Sequence, residues 1–341
     1  MELTRLRSVY KAEGPFATVY LEGRTPGEDA EKQMRLRWQA LREGLEQAEE
    51  APAAVLDELE TSLLADKAGE EQANGRVLVA NEAGVVLEEP WDAALGSGDQ
   101  AYWSMLPQLG SYVRERTRAV RMLVVVADRN QAHIRRVVAA QQHDPRQMQS
   151  ESVSGDAAED VHKPRGGALS HNQIQRRAEE TVKHNTKQIA ERLRSIASTF
   201  RPRAILLASE VQARSALREV LAEPFSDLCI DTEGGMASEE ALAEELGSLA
   251  QQLSERDSES TAEKLDKQLA HDGAVQGDPL VARAAEMGAV DTLLFEQSAP
   301  AAREAFLLKT CVETNSELAL LPAGIGLPDG VAATLRFPLP Q

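Results

Sequence analysis

A chain of 341 residues is long enough for two or three domains, each with its own core. Its make-up, 42% apolar, 27% charged and only 4% aromatic, is that of a globular protein with a formal net charge of −18. No apolar run approaches the roughly 18 residues that cross a bilayer, so a membrane span is excluded from the expectation. The opening MELTRLRSVYKAEGPF has no apolar stretch of the secretory kind. Two cysteines, Cys229 and Cys311, make no metal spacing and are too few for a disulfide framework. They read as small buried hydrophobes of a protein kept in a reducing cytoplasm.

Charge is sorted along the chain. Residues 1–115 hold 11 basic and 22 acidic side chains, 116–200 hold 15 and 9, and 201–341 hold 11 and 24. A basic block therefore lies between two acidic ones, and a polyanion would be met mainly by the middle. These blocks are also the expected domains: 1–115, 116–200 and 201–341.

In chain order, 15-PFATVYLE-22 predicts a strand, followed after 24-RTPGED-29 by a helix from about Glu28 to Glu50. Pro52 suits the first turn of the next helix, whose stripe is Val55, Leu56, Leu59, Leu63 and Leu64. Strands 76–80 and 84–89 flank an Asn81–Gly84 turn as a hairpin. Trp91, Tyr102 and Trp103 fall in an irregular stretch and read as local core.

The middle block opens with strands 121-RMLVVVAD-128 and 132-AHIRRVVAA-140, with one more near 147-QMQSESV-153. Then 154-SGDAAEDVHKPRGGALS-170 reads as a long loop, a length usually functional or disordered. Ser170 or Asn172 caps the helix that follows, which runs to about Ser198. Ile174, Ala178, Val182, Ile189, Leu193 and Ile196 form its apolar face, while Arg176, Arg177, Lys183, Lys187, Arg192 and Arg194 fall largely off it. Beyond 200-FRPR-203, strands and helices alternate in the α/β manner: strand 204–209, helix 210–221, strand 227–231 and a long polar helix over 238–271. Helix 279–287, strand 290–296, helix 300–314 and strands 317–322 and 331–337 complete the pattern.

No catalytic set assembles. The sequence lacks a phosphate-cradling loop ending in GK[ST], a dinucleotide fingerprint and HExxH. Glu88/Glu89 and Glu239/Glu240 are sequence neighbours whose side chains diverge, so each reads as surface charge, not an acid–base couple. His133, His162, His171 and His184 fall at no metal-ligand spacing, and no cofactor is expected.

The loop before the long helix carries the signal. Pro164 stiffens its entry, Lys163 and Arg165 bring two cations, and Gly166–Gly167 remove the Cβ atoms that hold a backbone off a ligand. A helix N-terminus next to it adds unpaired N–H groups and partial positive charge. His162 and His171 flank the glycines and can share that charge beside a phosphate. The arrangement suits approach to an RNA phosphate or a nucleotide end. The bland alternative is a flexible loop joined to a helix with a solvated basic face.

The segment 163-KPRGGALSHNQIQRRAEETVKHNTKQIAERL-193 resembles the central domain of the archaeal and eukaryotic translation release factors and Pelota-related proteins. There a basic lead-in and a Gly-Gly-Gln tip precede a helix with Arg-rich and His-Asn stretches. Here Arg165, Gly166, Gly167, Arg176, Arg177, Lys183, His184 and Asn185 stand in the same order. The strand 15–22 and the helix carrying Arg35, Arg37 and Trp38 are similar to the bacterial branch, which includes actinobacterial members and the Balon-type ribosome hibernation factors. The strands at 290–296, 317–322 and 331–337 resemble the L7Ae-like third domain. The resemblance implies a three-domain α/β (α+β) protein, monomeric, with no small-molecule substrate. It also implies binding to rRNA at the ribosomal A site and peptidyl-transferase centre through His162, Lys163, Arg165, Gly166, Gly167, Ala168, Arg176, Arg177, Lys183, His184 and Lys187. For hibernation factors, elongation factor Tu is the implied delivery partner.

One departure changes the chemistry. Ala168 stands where termination factors hold glutamine, and an alanine offers no donor or acceptor to place the hydrolytic water. The expectation is occupancy without peptide release. Two rivals follow: a hydrolase whose water is set by another residue such as His162 or Gln173, and a stress-response interaction protein that binds an adaptor or free RNA and not the ribosome.

Overall fold

The computed structural model describes residues 1–21, 30–65, 75–91, 98–127, 131–139, 146–154, 171–232 and 238–340. Among these residues the helices are α1 (Arg7–Lys11), α2 (Ala30–Gln47), α3 (Ala53–Leu64), α4 (Gly110–Arg118), α5 (His171–Phe200), α6 (Val211–Leu221), α7 (Glu239–Leu269), α8 (Asp278–Glu286) and α9 (Glu304–Glu313). The strands are β1 (Phe16–Leu21), β2 (Gly75–Asn81), β3 (Gly84–Trp91), β4 (Gln100–Ser104), β5 (Val120–Ala127), β6 (Gln131–Ala139), β7 (Arg146–Ser154), β8 (Ala204–Leu207), β9 (Cys229–Asp231), β10 (Ala274–Gln276), β11 (Val290–Glu296), β12 (Glu317–Leu321) and β13 (Val331–Leu335). They form three sheets, so the α/β (α+β) class expected from the sequence holds.

The chain divides into two compact units, one of residues 1–119 with 254–341 and one of 120–253. The first contains the sheet β3-β2-β1-β4 and the sheet β10-β13-β11-β12. Strand β1 is buried on both faces, which explains why only Thr18 interrupts its apolar run. Ala17, Val19 and Leu21 meet the stripes of α2 and α3, including Trp38, Val55, Leu56, Leu59 and Leu63. Phe16 and Tyr20 turn to a second core shared with Leu293, Phe295, Leu307 and Leu318. Residues from both ends of the chain therefore fill one hydrophobic interior.

Arg114 of α4 ties those ends together. Its Nε–H donates to the Glu296 carbonyl (3.0 Å) and Nη2–H to the Ala299 carbonyl (2.8 Å), while Nη1 and Nη2 grip both carboxylate oxygens of Glu304 at 2.8 and 2.6 Å. The guanidinium lies 5.0 Å from the centre of the Phe295 ring. Gly110 completes the seat: a Cβ there would stand 1.3 Å from a Glu304 carboxylate oxygen, so only glycine lets that carboxylate reach Arg114.

The second unit is a five-stranded sheet, β7-β6-β5-β8-β9, in which β5, β8 and β9 run parallel. Alternation along β5 sends Leu123, Val125 and Ala127 to the face covered by α5 and α6. Met122 and Val124 go to the other face, against Leu242, Leu246 and Ala250 of α7. This corrects the expected boundary at residue 200. Strands β8 and β9, assigned above to the C-terminal domain, hydrogen-bond into the sheet of the middle block, because Ile205 and Leu207 are needed to finish its α5 face. The expected 1–115 and 201–341 domains, in turn, contribute to a single unit.

Other differences are local. Tyr102 and Trp103, expected in an irregular stretch, lie on β4 and pair with Thr18 and Ala17 of β1. Helix α5 begins at His171, so Asn172 is inside it and is not its cap. The long polar helix is unbroken, and most of its charged 254–268 stretch is exposed, as a solvated face should be.

Glu304→Ala leaves the Arg114 guanidinium, with a side chain only 10% exposed, without its carboxylate. The expected loss is about 3–5 kcal/mol in equilibrium urea denaturation. Gly110→Ala is expected to destabilise in the same direction by displacing Glu304.

Candidate nucleic-acid interface

Helix α5 packs on the sheet through Ile189, Leu193 and Ile196, each no more than 2% exposed, with Ala190 and Ala197 beside them. Fixing that stripe inward fixes what points out. Lys183, His184 and Lys187 are exposed, and at spacings of three and four residues they share one side of the helix. Neither lysine forms an ion pair with a described residue. Arg192 behaves differently: its Nε and Nη2 donate to the Glu151 carboxylate at 2.5 and 2.8 Å. The Arg192 hydrogen bonds hold the Glu151 carboxyl below the usual carboxylate range, with the charge of Arg136 adding to the effect. Arg192 is thus held to β7, while Lys183 and Lys187 stay available to an outside anion.

The remaining residues expected at the site stand as follows. His162, Lys163, Arg165, Gly166, Gly167 and Ala168 lie outside the described residues. Arg176 and Arg177 are on α5, with side chains outside the description. The structure thus gathers Lys183, His184 and Lys187 on one face of a helix whose N-terminus, His171, directly follows the glycine loop in sequence.

Asn185, noted in the sequence only for its place in the release-factor order, has a burial that the sequence did not announce. It sits on the buried stripe at 0% exposure, one turn before Ile189. Neither its amide nitrogen nor its amide oxygen has a hydrogen-bond partner among the described residues. The signal was in the spacing: the apolar face steps seven residues from Val182 to Ile189, and Asn185 occupies the skipped position. A buried amide with nothing to bond costs about 1–3 kcal/mol.

Glu88 and Glu89, expected as surface charges, are half-buried and partnered. Glu88 accepts from Ser62 (2.8 Å) and faces Arg76, whereas Glu89 accepts from the Tyr112 hydroxyl (2.7 Å) and Arg116 (2.5 Å). The two carboxylates serve different neighbours and cannot share a proton. No cluster of His, Cys, Asp and Glu able to hold a metal occurs among the described residues. No described helix is long and apolar enough to cross a membrane. Both cysteines are free thiols. Burial pushes the Cys311 thiol up to about 12 and raises that of Cys229 as well.

Replacing Asn185 by the similarly shaped leucine is expected to be neutral or stabilising, by up to about 2 kcal/mol in thermal unfolding. A loss of more than 1 kcal/mol would show that the amide bonds a buried water. Iodoacetamide at pH 8 should label Cys229 before Cys311 in the native protein, because a group titrating near 12 holds only about one thiolate in ten thousand there.

Residues 121–271 match the model of the family described as Bacterial archaeo-eukaryotic release factor family 2. Two sequences of Mycobacterium tuberculosis, the uncharacterized proteins MT2704 and Rv2629, are each 25% identical over 227 residues, 65% of this chain. The match spans 57% of the length of those relatives. Among solved structures, an archaeal translation termination factor, aRF1, aligns over 98% of this chain and 97% of its own (19% identity, TM-score 0.26). Ribosome-bound archaeal Pelota aligns over 99% and 95% (12%, 0.44), and Saccharomyces cerevisiae Dom34 over 100% and 94% (13%, 0.41). The matched segment takes in the whole of α5 and, in sequence, the loop before it.

Proposed function

We infer that this protein is a ribosome-binding factor of the hibernation or stress type, which occupies the A site and reaches toward the peptidyl-transferase centre without hydrolysing peptidyl-tRNA. The single observation that carries the reading is the exposed Lys183–His184–Lys187 face of α5, within the segment that matches the release-factor family. Two ammonium groups one turn apart, neither ion-paired with a described residue, suit successive phosphates of an RNA strand. Lys163, Arg165, Gly166 and Gly167 precede the same helix and extend that contact, with Arg176 and Arg177 between. Burying the opposite side of α5 in the sheet means that docking RNA here requires no refolding of the helix.

The absence of hydrolysis follows from Ala168. A methyl group can neither donate nor accept a hydrogen bond, so the loop can fill the space of a release tip without directing water at an ester. Elongation factor Tu is a delivery partner in this reading, and the acidic first unit is a surface for basic ribosomal proteins. Work in the cytoplasm follows from the same reading.

The test is sedimentation with vacant 70S ribosomes across a potassium chloride series. Contact with roughly four phosphates predicts a log–log slope of about −3 to −4. Lys183→Gln with Lys187→Gln should reduce the slope by about 2 and weaken binding more than tenfold at low salt. Ribosomes carrying peptidyl-tRNA should release no peptide in its presence. A slope near zero, or rapid release abolished by Gly166→Ala with Gly167→Ala, would reject the proposal.

A further inference from the structure

Two loops leave the same end of the neighbouring parallel strands β11 and β12. Residues 297–302 follow Glu296, and residues 322–328 follow Leu321, its partner in register. Hydrogen bonds join the two loops. The Gln297 N–H donates to the Leu321 carbonyl (3.1 Å), the Gly324 N–H to the Glu296 carboxylate (2.8 Å) and the Ala302 N–H to the Asp329 carbonyl (3.0 Å). Arg114 holds the Ala299 carbonyl as well. Loops beyond the carboxyl ends of parallel strands are a common seat for ligands.

Composition limits what such a ligand is. The two loops hold 13 residues without one charged side chain, and the chain's average, 27% of 13, would place about three or four there. Eight of the 13 are exposed, among them Pro300, Ala323, Ile325 and Pro328. The charged residues that border the loops are turned to partners inside the protein. Glu296 also accepts from the Ser298 hydroxyl (3.3 Å), Arg303 grips the Asp278 carboxylate (3.0 and 2.8 Å), and Asp329 accepts the Asp278 N–H (3.1 Å). Glu304 is taken by Arg114. The acidic first unit thus carries a surface that is electrically blank. Ile325, 40% exposed, stands on it between Gly324 and Gly326, where an added Cβ would meet nothing within 4 Å. Solvation alone gives a loop no reason to shed its charges, whereas the core of a protein–protein contact is depleted of them.

We propose that loops 297–302 and 322–328 form a docking surface for a short, uncharged, apolar segment of another protein. RNA does not suit it, because the surface offers no cation to a phosphate. Size argues against a second copy of this chain: eight small residues fall well short of the roughly 20–30 a side of a stable interface. Apolar side chains of the segment pack on Ile325 and the prolines, while its backbone lies over the open glycines. Loops already tied to each other spare the ordering cost that free ones would impose on binding. The surface rests on its own contacts and not on the ribosome reading.

Panning a random dodecapeptide phage library against the full chain in solution tests the proposal. Recovered peptides should be apolar and free of charge. One of them, synthesised with a fluorescein label, should bind the wild type and lose about tenfold or more in affinity with Ile325→Asp, which sets a charge in the contact. Ala323→Lys should cause a similar loss, and Ile325→Val should stay within about twofold of the wild type. Both positions are exposed, so melting temperatures should not change. Recovery of charged peptides only, recovery of none, or affinity untouched by Ile325→Asp and Ala323→Lys would overturn the surface. So would dimers in analytical ultracentrifugation that Ile325→Asp abolishes, since a second copy would then be the occupant. Ile325→Asp should leave the salt slope of ribosome sedimentation unchanged, so the two proposals fail separately.

Discussion

Burial of the Ile189–Leu193–Ile196 stripe against the five-stranded sheet is the constraint from which the functional surface follows. A helix can turn only one side to an apolar sheet, and each of these side chains contributes about 1.5–3 kcal/mol by leaving water. Once that side is fixed, Lys183, His184 and Lys187 have no choice but to face outward. Arg192 follows a different course, since its position near β7 lets Glu151 capture it. Charge on this helix is therefore divided by geometry into a part that supports the fold and a part left for a partner.

That division gives the net charge of −18 a different meaning. The acidic residues are concentrated in the segments of the first unit, where Glu304 and Glu89 also serve as anchors for Arg114 and Arg116. The second unit, residues 120–253, is near neutral, with 17 basic and 19 acidic side chains against 20 and 36 in the first, and most of its basic ones lie in the 120–200 stretch that contains α5. In the proposed reading a polyanion meets that stretch, and repulsion from the acidic remainder makes the binding sensitive to salt.

Periodicity revealed most elements and left their assembly open. The stripes of α3 and α5 and the hairpin of β2 and β3 were legible because apolar spacing and turn chemistry are local. β4 was not, since its Gln100–Ser104 stretch has no β-branched residue and owes its strand geometry to pairing with β1. The true limit of the middle domain was hidden for a related reason: β8 reads identically whichever sheet it joins, and only its parallel register with β5 decides. Arg114 could not have been singled out, as its partners lie more than 180 residues away. Asn185 was partly legible, as a gap in a stripe, but a gap does not say that the polar residue filling it is buried. The loop residues 162–168 remain known from their sequence, and the resemblance there was read from residue types alone.

The central claim is that the exposed basic side of α5, with the loop before it, rests against ribosomal RNA. Cryo-electron microscopy of ribosomes saturated with the protein tests it most directly. The account predicts density for the second unit in the A site, with Lys183 and Lys187 within about 4 Å of phosphate oxygens. Ribosomes that carry the protein with this helix face turned to solvent, or that carry none, would contradict it.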